Sequence, residues 1–439
     1  MATKTDLEIA FKAITNKRMR LDTLFSYVNG GQPLKYSTER LKETFDNIKV
    51  HFEINWCSVI VNATLDRLEL NGFDTEDQAA NDLLDNLFDR LHIGIQADDA
   101  HKAALSMGNA YIIVWKQTDG QVEIYYNDPR ICHVVYENAR PNVKRFAAKM
   151  FCRDDGHTEM TLYYLDRLEH YVTRSDKGNV DNVNDFQLES TEPNTFGVIP
   201  VFELRTSGEI DKVITLQDAI NKTFADMMVA AEFGAFTQRY IISNSDPSNL
   251  KNAPNEIWWI PSGEGVGQAA SVGQFQSTDL GNYLDAMDKL ANSMAIISRT
   301  PKHYLMTTGA NISGEALLAM ETPLTRKAEK HQQRFNTAWQ DVAQFILQLS
   351  GITLDANAIT PVWKRIESIQ PFTEAQANQI AINMGIPLIT ILRRQGWTEQ
   401  EIQTLEDDRK NEKASRRSTA QAVLDTLRVK DAQSNAPVT

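Results

Sequence analysis

The sequence predicts an α+β protein, with a mixed N-terminal part built on an antiparallel sheet and a C-terminal half that is almost entirely helical. Two observations carry this. Between residues 110 and 165, short apolar or alternating runs are separated by turn clusters at Gln117–Gly120, Asn127–Pro129 and Asp154–Gly156. That is the pattern of hairpin-connected strands. From Asp211 onward the apolar residues recur at three and four residues, the period of helices with one buried face.

In chain order, Ser37–Ile48 and Phe52–Leu68 read as helices, the second with Ile54, Ser58, Val61, Leu65 and Leu68 on one face. Asp77–Phe88 and Ala97–Met107 are also helical, the latter stopped by Gly108. Ala110–Trp115, Val122–Tyr126, Val134–Tyr136, Arg145–Cys152 and His157–Leu165 read as strands, and the polar stretch 174–197 as a hairpin tip or surface loop. A helix from Asp211 to Arg239 buries Val213, Leu216, Ile220, Phe224, Met227 and Ala231. Residues 243–278 are loop-rich around one aromatic strand, Ile257–Ile260. A second amphipathic helix carries Leu280, Tyr283, Leu284, Met287, Leu290, Met294 and Ile297. After a Pro/Gly/Thr-rich loop, a helix over 313–350 has the stripe Leu317, Met320, Leu324, Ala328, Phe335, Trp339, Val342, Ile346 and Leu349. Pro323 lacks a backbone donor and crowds the preceding turn, so a kink is expected there. A strand at Thr360–Ile366 and helices over Thr373–Asp408 close the fold, and the final thirty residues are expected to be frayed.

Composition narrows the function classes. The 439 residues suggest about three substructures. The longest apolar run, Ala110–Trp115, is far short of the roughly 20 residues of a membrane helix. The N-terminus lacks the uninterrupted apolar core of a secretory signal. Three scattered cysteines, Cys57, Cys132 and Cys152, argue against a disulfide framework and for a reducing interior. With 45 Lys+Arg against 58 Asp+Glu the net charge is −13. A broad phosphate-gripping surface is basic, so the acidity argues against one and for solubility.

No catalytic constellation emerges. There is no Gly-Lys-Ser/Thr phosphate loop and no Gly-x-Ser-x-Gly elbow. Gly263, Gly265 and Gly267 resemble a dinucleotide loop only superficially, because no βαβ unit surrounds them. Cys132 and His133 are strand neighbours and point to opposite faces. The histidines lack metal-ligand spacing, so neither metal nor cofactor is expected. The Asp98-Asp99 and Asp154-Asp155 pairs fit a helix start and a turn. Trp258 and Trp259 fit two readings, a base- or partner-docking surface and a small local core. Lys302, His303 and Tyr304 form a basic-aromatic cluster in a loop.

The order helix, loop-rich excursion, helix, short loop and long Pro-containing helix resembles the tailed-phage portal proteins typified by the Bacillus phage SPP1 portal. Several segments carry the resemblance: Tyr27–Leu34, Asn55-Trp56 with Val59–Leu70, Gly72-Phe73, Gly108–Val114, and above all Ser313–Leu324 with Lys327–Phe335. It spans about residues 20 to 405. It implies a portal fold: an α+β wing over 1–210, stem helices at 211–240 and 279–298 and a clip at 241–278. A tunnel loop at 299–312, a kinked spine helix at 313–350, a wing strand region at 351–370 and a helical crown and tail at 371–439 follow.

The resemblance further implies a non-enzymatic dodecameric ring at one capsid vertex, assembled in the host cytoplasm, through which double-stranded DNA is packaged and later ejected. Its partners would be the terminase large subunit, the major capsid or scaffolding protein and a head–tail adaptor, with no membrane. DNA-facing candidates in the tunnel loop are Lys302, His303, Tyr304, Thr307, Thr308 and Asn311, with Lys302 the leading phosphate contact. Channel-lining candidates are Asp226, Asp285 and Asp288. The docking clip would use Lys251, Asn255, Glu256, Trp258 and Trp259. An acidic ring would let DNA slide rather than bind. Two rivals are a head–tail adaptor ring, which is usually much shorter and lacks paired stem helices, and a packaging enzyme such as a terminase or nuclease, which needs the absent phosphate loop or carboxylate cluster.

Overall fold

The computed structural model describes residues 4–35, 54–117, 119–176, 178, 180, 182–235, 239–242, 271–274, 279–306, 313–366, 371–394, 397 and 401–414. The helix expected at Ser37–Ile48 and the strand expected at Ile257–Ile260 lie outside these residues, as does 415–439.

The chain opens with a helix the charge alternation conceals, α1 (Lys4–Asn29). Its buried residues run Leu7, Ala10, Phe11, Ile14 and then Leu21, Leu24, Tyr27, Val28. The first group packs on the larger sheet and the second enters the main core, so α1 ties two cores together. Helix α2 (Trp56–Leu65) is capped by Asn55, whose side chain accepts from the Ser58 amide at 3.0 Å. Strand β1 (Leu70–Asp74), α3 (Gln78–Arg90) and α4 (Ile93–Met107) follow. α4 begins four residues earlier than the periodicity predicts and ends at Gly108, in the left-handed region at φ 95°.

All the strand pairings are antiparallel. β2 (Asn109–Lys116) lies between β3 (Val122–Asn127) and β9 (Val201–Arg205) in a three-stranded sheet. β4 (Cys132–Tyr136), β5 (Lys144–Cys152), β6 (Thr158–Tyr163), β7 (Arg167–Thr173) and β8 (Phe186–Pro193) form a five-stranded meander in sequence order. The unbroken apolar run of β2 has a simple cause. Ile112 and Val114 face the main core, whereas Tyr111 and Ile113 face a second cluster with Val134, Ala147 and Val201. A strand buried on both faces loses its alternation. In the N-terminal part β1, β7, β9, and β8 inside the expected loop 174–197, escape sequence reading. β8 is exposed along almost its whole length and offers no apolar pattern.

The helical half comprises α5 (Ile214–Ala235), α6 (Gly281–Ser298) and α7 (Gly314–Leu349). At the far end of the α5–α6 pair, β10 (Arg239–Ile242) pairs with β11 (Ser271–Gln274), where a continued helix and then loop were expected. α7 has 36 residues and is thus about 54 Å long. It is continuous through Pro323. Hydroxyls of Thr322 and Thr325 accompany the proline, donating to the carbonyls of Leu318 and Glu321 at 3.3 and 3.2 Å.

The expected apolar stripe of α7 holds only from Leu324 onward, where Ala328, Phe335, Trp339, Val342 and Ile346 are fully buried. Leu317 is 36% exposed, because the helix stands clear of the core before Pro323. β12 (Thr360–Trp363) pairs with β1, so residues nearly 300 positions apart share one ladder. α8 (Pro371–Asn383), α9 (Leu388–Arg394) and a helix over 401–414 make up the expected helical C-terminal part. Gly385, at φ 88°, supplies the turn between the first two.

Candidate functional site

α5 and α6 pack against each other and join the main core only at their lower ends. Met287, Ala291, Met294 and Ala295 of α6 are buried, and so are Ile220 and Ala225 of α5. The distal half of α5 is only half-buried. At the lower end of α5, Gln217 is fully buried. Its side-chain oxygen accepts from the Trp56 and Cys57 amides at 2.9 and 3.3 Å, and its amide nitrogen donates to the Ile54 carbonyl and to Asn221. A residue of one helix thereby caps the start of another. Beside it the Tyr27 hydroxyl donates to buried Asp218 at 2.5 Å, and Lys35 pairs with the same carboxylate at 3.4 Å.

α6 ends at Arg299, a non-glycine residue in the left-handed region at φ 56° that reverses the chain. The following segment is pinned. Pro301 and Leu305 are buried, and Lys302–Tyr304 forms one 3-10 turn. The Lys302 ammonium sits 2.7 and 2.8 Å from the two carboxylate oxygens of Asp288, which lies next to Met287 at the start of α6's buried face. The Glu321 carboxylate, just before Pro323, accepts from Arg67 at 2.6 Å and pairs with His303 at 3.0 Å. The Tyr304 hydroxyl lies 3.4 Å from it and its ring stacks on His303. Arg67 also holds the Ala63 carbonyl at 2.8 Å, so the loop root, α7 and the C-terminal end of α2 are bolted together.

A second buried knot lies six residues further along α7, at Lys327. Glu209 accepts from Lys327 and pairs with His331, both at 2.8 Å. Lys327 also donates to the carbonyl of Ser298, the last residue of α6, at 2.8 Å, and the other nitrogen of His331 meets the Thr206 hydroxyl at 3.1 Å. All three side chains are more than nine-tenths buried. Burial opposes the Glu209 charge, yet the His331 hydrogen bond and the Lys327 ammonium outweigh it and hold its carboxyl below the usual range. Burial pushes the Lys327 ammonium below its ordinary value against the pull of Glu209. The knot joins the segment entering α5, the end of α6 and α7. It therefore sets the angle between the helix pair and α7.

The remaining sequence-predicted residues divide. Lys302 and Asp288, one expected to touch phosphate and the other to line a channel, are paired with each other. Asp226 is paired with Lys222. Asp285 is exposed, and of the three aspartates it alone has no ion pair among the described residues. Thr307, Thr308 and Asn311 lie outside the described residues, as do Lys251, Asn255, Glu256, Trp258 and Trp259. Sequence reading missed Arg67–Glu321, Glu209–Lys327–His331 and Gln217. The available signal was a Lys and a His interrupting the apolar face of α7 at 327 and 331. Another interrupting histidine, His101, is a core group. It stacks on Phe335 at 5.0 Å, accepts from the Trp339 indole at 2.9 Å, and burial drives its pKa down to about 3.

Among the described residues no group of three or more His, Cys, Asp or Glu side chains is arranged to hold a metal ion. No described helix is long and apolar enough to cross a membrane. The architecture is a pair of projecting helices, a pinned turn and a 36-residue helix. Comparison with known proteins identifies the family. A profile described as phage portal protein, SPP1 Gp6-like, matches residues 9–415. The portal protein of Mycobacterium phage D29 is 24% identical over 201 residues, 41% of this chain and 39% of that one. The portal protein of Mycobacterium phage L5 is 30% identical over 97 residues, 21% of this chain and 20% of that one. These alignments cover less than half the length of either relative. The family match, by contrast, runs through the antiparallel sheets, both projecting helices, the pinned turn and α7: the chain belongs to the SPP1 Gp6-like family of phage portal proteins.

Proposed function

We propose that copies of this chain close into a ring, twelve in the virion, whose central channel passes double-stranded DNA into and later out of a phage capsid. The observation that carries this is the apolar surface that a single chain leaves uncovered on the elements nearest the pinned turn. Leu284, Ile296 and Ile297 of α6 are 51, 69 and 48% exposed, and Leu317 and Leu318 of α7 are 36 and 37% exposed. Five large aliphatic side chains on adjoining helices mark an interface rather than a solvated face. The net charge of −13 suits a channel that repels phosphate and lets DNA slide.

In this reading α5 and α6 are the stem, residues 241–278 the clip that docks the terminase large subunit and later a head–tail adaptor, and α7 the spine. Lys302 anchors the root of the tunnel loop through Asp288. DNA contact falls to the polar residues beyond it, Thr307, Thr308 and Asn311, and Asp285 lines the stem. The capsid or scaffolding protein meets the wing and crown. No catalytic step belongs to the chain. Negative-stain imaging of the purified protein tests the reading: closed rings with a central hole are expected. A monodisperse monomer under every condition, with ATPase or nuclease activity, overturns it.

A further inference from the structure

The exposed face of α7 beyond Pro323 is a stripe of hydrogen-bond donors that its own chain leaves unused. Arg326, Lys330 and Arg334 stand at i, i+4 and i+8, about 6 Å apart along the axis. Gln333 and Thr337 lie beside them on the same helix. All five are exposed, and none makes a side-chain hydrogen bond or ion pair among the described residues. Elsewhere the exposed cations Arg20, Arg140, Lys364 and Lys410 each hold a carboxylate. The carboxylate on this face is Glu329, exposed and likewise unpaired among the described residues. Three positive charges thus stand against one negative in a chain whose net charge is −13.

At its C-terminal end the stripe opens on a cleft between α7, β9 and the start of β5. Arg334 and Thr337 line it together with Lys144, Arg205 and Ser207. The Lys144 ammonium lies 4.3 Å from the centre of the Phe202 ring and donates to the Val201 carbonyl at 2.8 Å. Two of its three donors remain unused among the described residues. Burial lowers its pKa to about 8, so it is charged at neutral pH. Two carboxylates line the same cleft. Glu203 is taken up by Arg205 and the Tyr136 hydroxyl, and burial raises the pKa of Asp341, which opposes its charge.

We propose that this stripe and the mouth of the cleft hold the phosphates of duplex DNA without regard to sequence. The choice of DNA as the polyanion rests on the channel reading above. Evenly spaced cations along one helix are the electrostatic footprint of a nucleic-acid backbone. Arginine forks, and neutral amide and hydroxyl donors beside them, are the groups that take phosphate oxygens. An acidic protein fits less well, because the cores of protein interfaces are depleted in lysine and centred on apolar or aromatic anchors. No apolar side chain of α7 is exposed between Arg326 and Thr337. The exposed Leu317 and Leu318 stand on the other side of Pro323, so apolar contact and phosphate contact fall to different parts of the helix.

The test is binding of a short fluorescein-labelled duplex of arbitrary sequence to the full chain, followed by anisotropy across a salt series. Arg326→Gln/Lys330→Gln/Arg334→Gln removes three phosphate contacts. It is expected to weaken binding about tenfold or more at low salt and to reduce the slope of log K against log salt by about 2.7. Arg140→Gln/Lys364→Gln/Lys410→Gln makes the same change in net charge at cations that already hold carboxylates, and is expected to leave the slope unchanged. Arg326→Lys/Arg334→Lys keeps the charges and is expected to keep the slope. If the triple variant misfolds by circular dichroism, Lys330→Gln alone should lower the slope by about 0.9. A slope equal to wild type in the stripe variants overturns the inference. So does an equal loss in the control variant, or a wild-type chain that does not bind the duplex. Normal DNA binding with lost ring assembly in the triple variant makes this face a subunit contact, which also overturns it. A wild-type chain that binds through the stripe but forms no rings refutes the ring reading and leaves this inference standing.

Discussion

The Glu209–Lys327–His331 knot makes the sharpest quantitative demand on the structure. Replacing Lys327 by Met keeps the apolar stem of the side chain but removes the ammonium, leaving the Ser298 carbonyl without its donor and Glu209 with His331 alone. Removing one partner of a buried ion pair costs about 3–5 kcal/mol, because the other charge stays desolvated. The surviving His331 contact places the expected loss near the lower end, about 3 kcal/mol. Urea unfolding at low protein concentration, where no ring contributes, reads it directly. The pH dependence carries the sign. The Glu209 carboxyl is held below its ordinary value of 4.5 in the folded chain. Its contribution is therefore fully present above about pH 4.5 and is lost as pH falls through the lower folded value. Wild-type protein should lose stability on acidification more steeply than Glu209→Gln. For Lys327, whose folded value lies below 10.5, the burial cost is relieved as pH rises toward 10.5. A Lys327→Met variant within about 0.5 kcal/mol of wild type would refute the assignment of this knot as the joint between α6 and α7.

Three further outcomes follow from the same contacts. Gln217→Leu strips the Trp56 and Cys57 amides of their acceptor and should cost about 2–3 kcal/mol in urea unfolding, as buried donors are orphaned; no loss would show that the cap is redundant. Arg67→Ala frees Glu321 from its closest partner and should speed tryptic cleavage after Lys302 several-fold, since local opening governs the rate; an unchanged rate would mean that the Lys302–Asp288 pair and buried Pro301 and Leu305 hold the loop root without Arg67. Pro323→Ala restores a donor to the Ala319 carbonyl and should raise the thermal midpoint of the monomer while lowering ring yield, because the residue sits where the spine leaves the core; unaltered assembly would remove any role for the proline in ring geometry.

Legibility from sequence followed the strength of local periodicity. α6 and α7 could be read from their three- and four-residue repeats, and three of the five meander strands from the turn clusters that bound them, since β6 is buried at every position and shows no alternation. β9 (VFELR) is too short to show a pattern, and β8 is exposed almost throughout, so neither differs from loop by its own residues. α1 was hidden because its two apolar groups serve different cores, with the charged residues Lys17, Arg18 and Arg20 between them. At the candidate site Lys302 and Asp288 were both picked out. Their meeting was invisible, because the reversal at Arg299 depends on a left-handed backbone conformation at a non-glycine residue.

By itself the sequence determined the α+β class, the paired helices, the long helix after a short loop, the overall acidity and the portal resemblance. All of these are written in composition, period and order along the chain. Tertiary structure alone decided which charges are spent and which remain. Arg67 reaches Glu321, Glu209 reaches Lys327, and Lys302 closes on Asp288, whereas Arg326, Lys330 and Arg334 are left facing outward. Most of that sorting depends on burial and on contacts between residues more than a hundred positions apart. Coulomb attraction acts through space and depends on the local dielectric, and neither is encoded in the local pattern of residues.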